Sequence, residues 1–144
     1  LRAAMDAETG AVYQDRYDEL GPDDRARQGA AFAIDPESIV DTIIVLDDGR
    51  PVGHAALRPF EHSLEVKKVF TDLSVRGQGA SKLLMAELER LALARGVGSL
   101  VLQTGDRQLA AIGLYESIGY LPIPAYGAYT DVGFALCFEK KLAQ

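Results

Sequence analysis

The feature that most constrains the fold of this chain is a strand, a glycine turn, a helix and a second strand that follow one another between residues 64 and 102. Residues 64–73 have the alternation of a strand, which predicts that Glu65, Lys67 and Val69 share one face. Residues 97–102 are almost continuously apolar, which is typical of a strand buried on both faces. Between them, a helix is predicted from Gly79 to about Arg95. The sequence therefore predicts a right-handed β-α-β crossover. The apolar stripe predicted for its helix consists of Ala80, Leu83, Leu84, Leu88 and Leu91.

The flanking segments extend this unit on both sides. Residues 2–20 favour a helix that Gly10 weakens, and Asp23-Asp24 favour the start of a second helix through about residue 30. Residues 40–46 and 52–58 predict a hairpin. After the crossover we expect a helix capped by Asp106 and two further strands at 120–123 and 132–141. The order α-α-β-β-β-α-β-α-β-β predicts an α/β fold in one domain over residues 1–144.

Composition limits the classes of partner. The net charge is −6, which disfavours binding to the phosphate backbone of nucleic acid. No apolar run approaches the roughly 18 residues of a membrane span. The N-terminus is not that of a signal peptide, and the single cysteine excludes an intramolecular disulfide. We therefore expect a cytoplasmic protein without a membrane or nucleic-acid partner. No Cys/His cluster has metal-ligand spacing, so no metal is expected.

The turn Arg76-Gly77-Gln78-Gly79 is the strongest chemical signal. Glycines allow backbone N–H groups to converge on one point, and a helix N-terminus adds unsatisfied donors and partial positive charge. This pattern indicates an anion cradle for a phosphate. The alternative is a plain strand-to-helix turn. The spacing matches neither a Walker loop nor the dinucleotide fingerprint.

The run Val75-Arg76-Gly77-Gln78-Gly79-Ala80-Ser81-Lys82-Leu83-Leu84 resembles the coenzyme A-binding motif of the GNAT superfamily of N-acetyltransferases, Arg/Gln-x-x-Gly-x-Gly/Ala. Ser81 departs from it, because Gly or Ala is usual there. A second run, Ala110-Ala111-Ile112-Gly113-Leu114-Tyr115-Glu116 with Gly119-Tyr120, resembles the family's Ala-x-x-Leu-Tyr-x-x-x-Gly-Phe/Tyr pattern. The resemblance covers roughly residues 40–142.

This resemblance implies a GNAT-type acyl-CoA N-acyltransferase fold, with a mixed sheet, antiparallel N-terminal strands and helices on both faces. It implies acetyl-CoA as cosubstrate. The edge Val69-Phe70-Thr71 would pair with the pantetheine amides, and the backbone from Gln78 to Lys82 would face the pyrophosphate. The two parallel strands would splay apart to admit the thioester. The family normally begins with one more strand before its first helix, and here that strand is either absent or lies before Leu1. The resemblance also allows a homodimer.

The resemblance further implies transfer of an acetyl group to a primary amine of a small molecule or peptide, by direct attack in a ternary complex. Tyr115 is the expected general acid, and the alternative is a core tyrosine bonded to a carbonyl. Glu65 is the expected base, and the alternative is a carboxylate paired with a lysine. The other hypotheses for the whole chain are a non-catalytic coenzyme A sensor and a protein whose glycine turn binds another phosphate ligand.

The loop Tyr126-Gly127-Ala128-Tyr129 resembles the one that closes over the acceptor in related enzymes. Its two aromatic rings are expected to line an amine pocket, and the alternative is an ordinary hairpin with exposed tyrosines. Cys137 is expected to be a small buried apolar residue rather than a nucleophile.

Overall fold

The computed structural model describes residues 1–142 and folds them into helices and strands in the predicted order. The helices are α1 (Arg2–Asp18), α2 (Pro22–Phe32), α3 (Ala80–Ala94) and α4 (Leu109–Ser117). The strands are β1 (Asp41–Asp47), β2 (Arg50–Phe60), β3 (Ser63–Thr71), β4 (Ser99–Gly105), β5 (Leu121–Ile123) and β6 (Ala135–Lys141). No helix within residues 1–142 has the length and apolarity to cross a bilayer.

The strands form one mixed sheet in the order β1-β2-β3-β4-β6-β5. The pair β3–β4 is parallel and is joined by α3, whereas all the other neighbouring pairs are antiparallel. The predicted α/β fold, with antiparallel strands first and a crossover in the middle, is therefore confirmed.

The core lies on the face of the sheet that α3 covers. Leu84, Met85 and Leu88 of this helix are at most 1% exposed and pack in one cluster with side chains of β3 and β4. The predicted stripe is wrong at Leu83, which is 69% exposed. Because a helix turns about 100° per residue, Met85 lies only about 60° around the helix from Leu88, whereas Leu83 lies about 140° from it.

Helices α1 and α2 lie against the other face. Alternate residues of β4 point to opposite faces, so Gly105 lies opposite to the buried Leu100 and Leu102. The Tyr13 ring of α1 lies directly over Gly105, and the Phe32 ring of α2 packs against that of Tyr129, with centroids 5.9 Å apart. This arrangement confirms the prediction of helices on both faces.

A β-bulge interrupts β3 at Lys68. His54 of β2 pairs with Phe70, yet Ala56, two residues on, pairs with Lys67, so β3 contains one extra residue. Lys68 has φ +58°, and the His54 Nδ1–H donates to the Lys68 carbonyl at 2.6 Å. The bulge reverses the alternation of side chains. Val69 therefore packs against the core, and the prediction that it shares a face with Glu65 and Lys67 is wrong.

Three helix boundaries also differ from prediction. Helix α1 continues through Gly10, and α2 begins at Pro22 after Gly21, with Asp23-Asp24 in its first turn rather than at the cap. Helix α4 follows Gln108, because the predicted cap Asp106 instead forms a bidentate ion pair with Arg16 of α1.

Candidate functional site

The two parallel strands separate and open a cavity between them. Strands β3 and β4 pair at three positions, from Leu64–Leu100 to Val66–Leu102. Beyond these pairs β3 runs on to Thr71 and β4 to Gly105. A cavity of about 990 Å³ lies between the diverging ends, bounded also by α1, α2, α4 and the glycine turn. The edge of β3 that faces β4 is therefore free beyond Val66.

The glycine turn forms one end of this cavity. Gly77 and Gly79 have φ of +81° and +82°, which glycine adopts without strain. Gly79 is the N-cap of α3, and no side chain caps the helix there. A methyl group at either glycine would meet no atom within 4 Å, so the space above the turn is open. The first N–H groups of a helix have no acceptor within it, so this end of α3 presents free donors.

Positive charge at the turn comes from two side chains with different environments. Arg76 is already occupied: its Nε–H donates to the Thr71 carbonyl at 3.0 Å, and its two terminal nitrogens donate to Glu8 at 2.9 and 2.7 Å. Lys82 is exposed, lines the cavity and forms no ion pair with any of residues 1–142. Lys82 is therefore the more available cation.

Most of the residues predicted to contact the cofactor line the cavity. Gln78 does not, and its side-chain amide donates to the Ser74 carbonyl at 3.3 Å instead. Ser81, the departure from the family pattern, places its hydroxyl 3.5 Å from that of Thr71 and so connects α3 to the end of β3. The predicted residues in the cavity wall are Val69, Phe70, Thr71, Arg76, Gly77, Gly79, Ala80, Ser81 and Lys82.

Tyr115 of α4 lies in the cavity wall and is 6% exposed. Its ring packs near Tyr120 and Phe138, with centroids 5.9 and 6.3 Å away. Burial raises the pKa of Tyr115 to about 12, because the phenolate form would lose its hydration. No hydrogen bond joins its hydroxyl to residues 1–142, so the carbonyl-bonded core tyrosine is not what this site contains. The hydroxyl therefore holds a proton at neutral pH.

Glu65, the expected base, does not line the cavity. It is 1% exposed and both of its oxygens accept hydrogen bonds, from Arg58 Nε at 2.6 Å and from the Tyr126 hydroxyl at 2.5 Å. The partners of Glu65 are thus an arginine and a tyrosine, rather than the lysine of the alternative interpretation. A role as base would require that Tyr126 release the carboxylate.

Tyr126 and Tyr129 lie over the sheet rather than in the cavity wall. Burial and the nearby Glu65 raise the pKa of both hydroxyls above the ordinary range of tyrosine. Tyr129 is 3% exposed and accepts a hydrogen bond from Lys67 Nζ at 2.5 Å. The rings of this loop form a polar layer with Glu65 and Lys67, in which Tyr129 is buried and Tyr126 half-buried, so the loop is not an exposed hairpin. The amine pocket stays a prediction.

Lys67 is a cavity residue that the motifs do not indicate. It is 9% exposed, and burial lowers its pKa to about 8 even though Glu65 opposes the shift. The aromatic residues Tyr13, Phe32 and Phe134 also line the cavity and lie outside every recognised motif. In the sequence they appear as ordinary apolar positions, so no local pattern distinguishes them. Cys137 is buried and lies outside the cavity wall, and burial raises the pKa of its thiol.

Comparisons with known proteins agree with this geometry. Residues 4–120 match the Acetyltransferase (GNAT) family. A crystal structure of an acyl-CoA N-acyltransferase from Klebsiella pneumoniae is 32% identical, with a TM-score of 0.70 over 76% of this chain and 77% of that one. Human N-acetyltransferase 8B is 36% identical over 84 residues, which are 58% of this chain and 34% of that protein. The chain spans about a third to a half of the length of the curated relatives it matches.

Several structural neighbours were crystallised with coenzyme A or acetyl coenzyme A. A streptothricin acetyltransferase from Bacillus anthracis, crystallised with acetyl coenzyme A, is 19% identical with a TM-score of 0.64, over 77% of this chain and 69% of that one. At this identity the likeness concerns the fold.

Proposed function

The chain belongs to the acetyltransferase (GNAT) family, and from this membership we propose that it transfers the acetyl group of acetyl-CoA to a primary amine of a small molecule or peptide. The observation that carries the proposal is one continuous cavity, lined at one point by the open glycine turn and at another by Tyr115. An anion site and a proton donor thus border the same space.

The residues of this cavity suit the cosubstrate. Acetyl-CoA would supply the acetyl group as a thioester. The uncapped N-terminus of α3 and Lys82 would hold its pyrophosphate, since both offer donors to an anion. The edge of β3 from Val69 to Thr71, which β4 leaves free, would accept and donate backbone hydrogen bonds like the edge of any unpaired strand.

Tyr115 would donate a proton to the departing thiolate. Its raised pKa keeps it protonated, and its hydroxyl has no competing protein partner among residues 1–142. Such general acids contribute about 10²–10⁴-fold to a rate. The burial of Cys137 outside the cavity supports direct attack by the amine over an acyl-cysteine route. The role of Glu65 as base stays a prediction.

Binding is tested by thermal unfolding with acetyl-CoA. Preferential binding to the native state stabilises by about 2.7 kcal/mol at about 100 times Kd, so the melting temperature should rise. No shift at millimolar cofactor would contradict the proposal. A shift without thiol release across a panel of amines would support the sensor hypothesis instead.

Chemistry is tested by Tyr115→Phe, which should lower kcat about 10²-fold or more while leaving the Kd of acetyl-CoA unchanged. Tyr120→Phe is the matched control. Its ring lies beside Tyr115, its hydroxyl is buried without a partner among residues 1–142, and it does not line the cavity. Equal turnover in the two variants would remove Tyr115 from the mechanism.

A further inference from the structure

The end of the cavity beneath α1 and α2 is aromatic. Tyr13 and Phe134 stack with their ring centroids 4.9 Å apart, and Phe32 stacks on Phe134 at 6.0 Å. All three line the cavity. Aromatic rings gain from stacking in offset or edge arrangements with another ring, beyond the area they bury. This end of the cavity therefore offers a surface for a planar apolar group.

Tyr13 is held as a fixed wall. Its hydroxyl accepts the backbone N–H of Arg107 at 2.9 Å, and the ring lies over Gly105 so closely that a Cβ there would be 1.9 Å from the hydroxyl oxygen. The glycine is thus required for the ring to reach this position. A wall that is fixed before a ligand arrives costs less ordering entropy on binding.

The charges around the cavity disfavour a polycation. Away from the glycine turn, where Lys82 would hold the pyrophosphate, two cationic side chains line it (Lys67 and Lys68) against one carboxylate, Asp6. Glu8 is committed to Arg76. Among the uncharged polar side chains in the cavity wall are the amides Gln14, Gln28 and Gln103.

A cation already occupies the outer side of the aromatic pair. The Arg16 guanidinium lies 5.7 Å from the Tyr13 centroid and 5.8 Å from that of Phe134, and it is paired with Asp106. Further positive charge on the acceptor would meet like charge here rather than a free carboxylate.

The cavity also disfavours the charged form of an amine. At Lys67, on the same wall, burial lowers the pKa of a primary amine from 10.5 to about 8. An acceptor amine that enters the cavity loses hydration in the same way. More of it is then in the neutral form, which is the nucleophile.

Resting on the proposed function, we propose that the acceptor is a primary amine carried on a planar aromatic body, an arylalkylamine, that stacks against Phe32 and Phe134. Polyamines would be poor acceptors.

The test compares acetylation of 2-phenylethylamine, ethanolamine and spermidine by the full chain. We expect kcat/KM for 2-phenylethylamine to exceed the other two by about 10-fold or more, as burial of one aromatic ring implies. Phe134→Leu should lower kcat/KM for 2-phenylethylamine by about 5-fold or more and leave the KM of acetyl-CoA unchanged. Phe60→Leu is the matched control, because Phe60 packs against Tyr126 with ring centroids 4.6 Å apart and lies outside the cavity wall.

Equal or better use of spermidine, or equal loss in the two Phe→Leu variants, would overturn this inference and leave the proposed function intact. If no amine is acetylated, the proposed function fails, and ligand-observed NMR then decides whether the aromatic end of the cavity binds an arylalkylamine. Saturation transfer from the coenzyme A-loaded protein to 2-phenylethylamine, abolished by Phe134→Leu and absent for spermidine, supports it. No transfer to 2-phenylethylamine overturns it.

Discussion

Replacing Lys67 with methionine should change how the stability of the protein depends on pH. Lys67 keeps its proton up to about pH 8 in the folded chain, whereas an ordinary lysine keeps it to 10.5. Between these values the unfolded chain binds the extra proton, so the free energy of unfolding rises with pH. The full difference between the pKa of Lys67 in the folded and in the unfolded chain corresponds to about 3 kcal/mol of unfolding free energy. Below pH 8 both states are protonated and this contribution is constant.

The measurement is urea unfolding followed by circular dichroism, since the chain has no tryptophan, at steps between about pH 7 and about pH 10.5. Relative to Lys67→Met, the wild-type protein should gain about 3 kcal/mol across this window. Buried tyrosines that do not bond to Lys67, such as Tyr115, give a slope of the opposite sign near their unfolded pKa, but they are common to both proteins and cancel in the difference. Lys141→Met, at an exposed lysine, should run parallel to wild type. A constant difference between wild type and Lys67→Met would refute the reasoning.

Three further substitutions test the cavity walls. Gly105→Ala should cost about 1–3 kcal/mol in urea unfolding, because the new methyl group displaces the Tyr13 ring; an unchanged midpoint would show that the ring moves freely. Gly79→Ala should cost about 1–2 kcal/mol, since its φ of +82° is strained for alanine, and should weaken acetyl-CoA binding by calorimetry; intact affinity would remove this turn from the site. Glu8→Gln should tighten acetyl-CoA binding by about 2–5-fold at low salt and less at high salt, because it releases Arg76; unchanged or weaker binding would count against competition for Arg76.

Each of these has a control elsewhere in the chain. Gly113→Ala places a methyl group in open space on α4 and should stabilise by up to about 1 kcal/mol. Glu87→Gln breaks an ion pair with Arg90 on the outer surface of α3 and should leave acetyl-CoA binding unchanged.

Local patterns are sufficient to predict the crossover and the glycine turn. Alternation, helical spacing and glycine punctuation all lie within a few residues of one another, so β3, α3 and β4 are each visible in the sequence. The family pattern around Tyr115 is local in the same sense. These signals predict both the fold and the cofactor end of the cavity.

Non-local contacts explain what sequence reasoning misses. The bulge at Lys68 depends on pairing with β2 and on the His54 hydrogen bond, and a strict alternation cannot indicate it. Arg58 and Tyr126 enclose Glu65 from opposite directions along the chain, with Tyr126 61 residues away. Tertiary partners of this kind determine whether a carboxylate is accessible, and residue type alone does not.

The short pairing between β3 and β4 has a consequence for cooperativity. Two three-stranded halves of the sheet, β1-β2-β3 and β4-β6-β5, meet across three residue pairs and are bridged by α3. Such a seam is a natural boundary for sub-global opening, along which amide hydrogens exchange without complete unfolding. A ligand that hydrogen-bonds to the free edge of β3 and also contacts α4 adds interactions between the two halves of the sheet. Occupancy of the cavity would then slow hydrogen exchange in both halves together, so that the sheet opens as one unit rather than two.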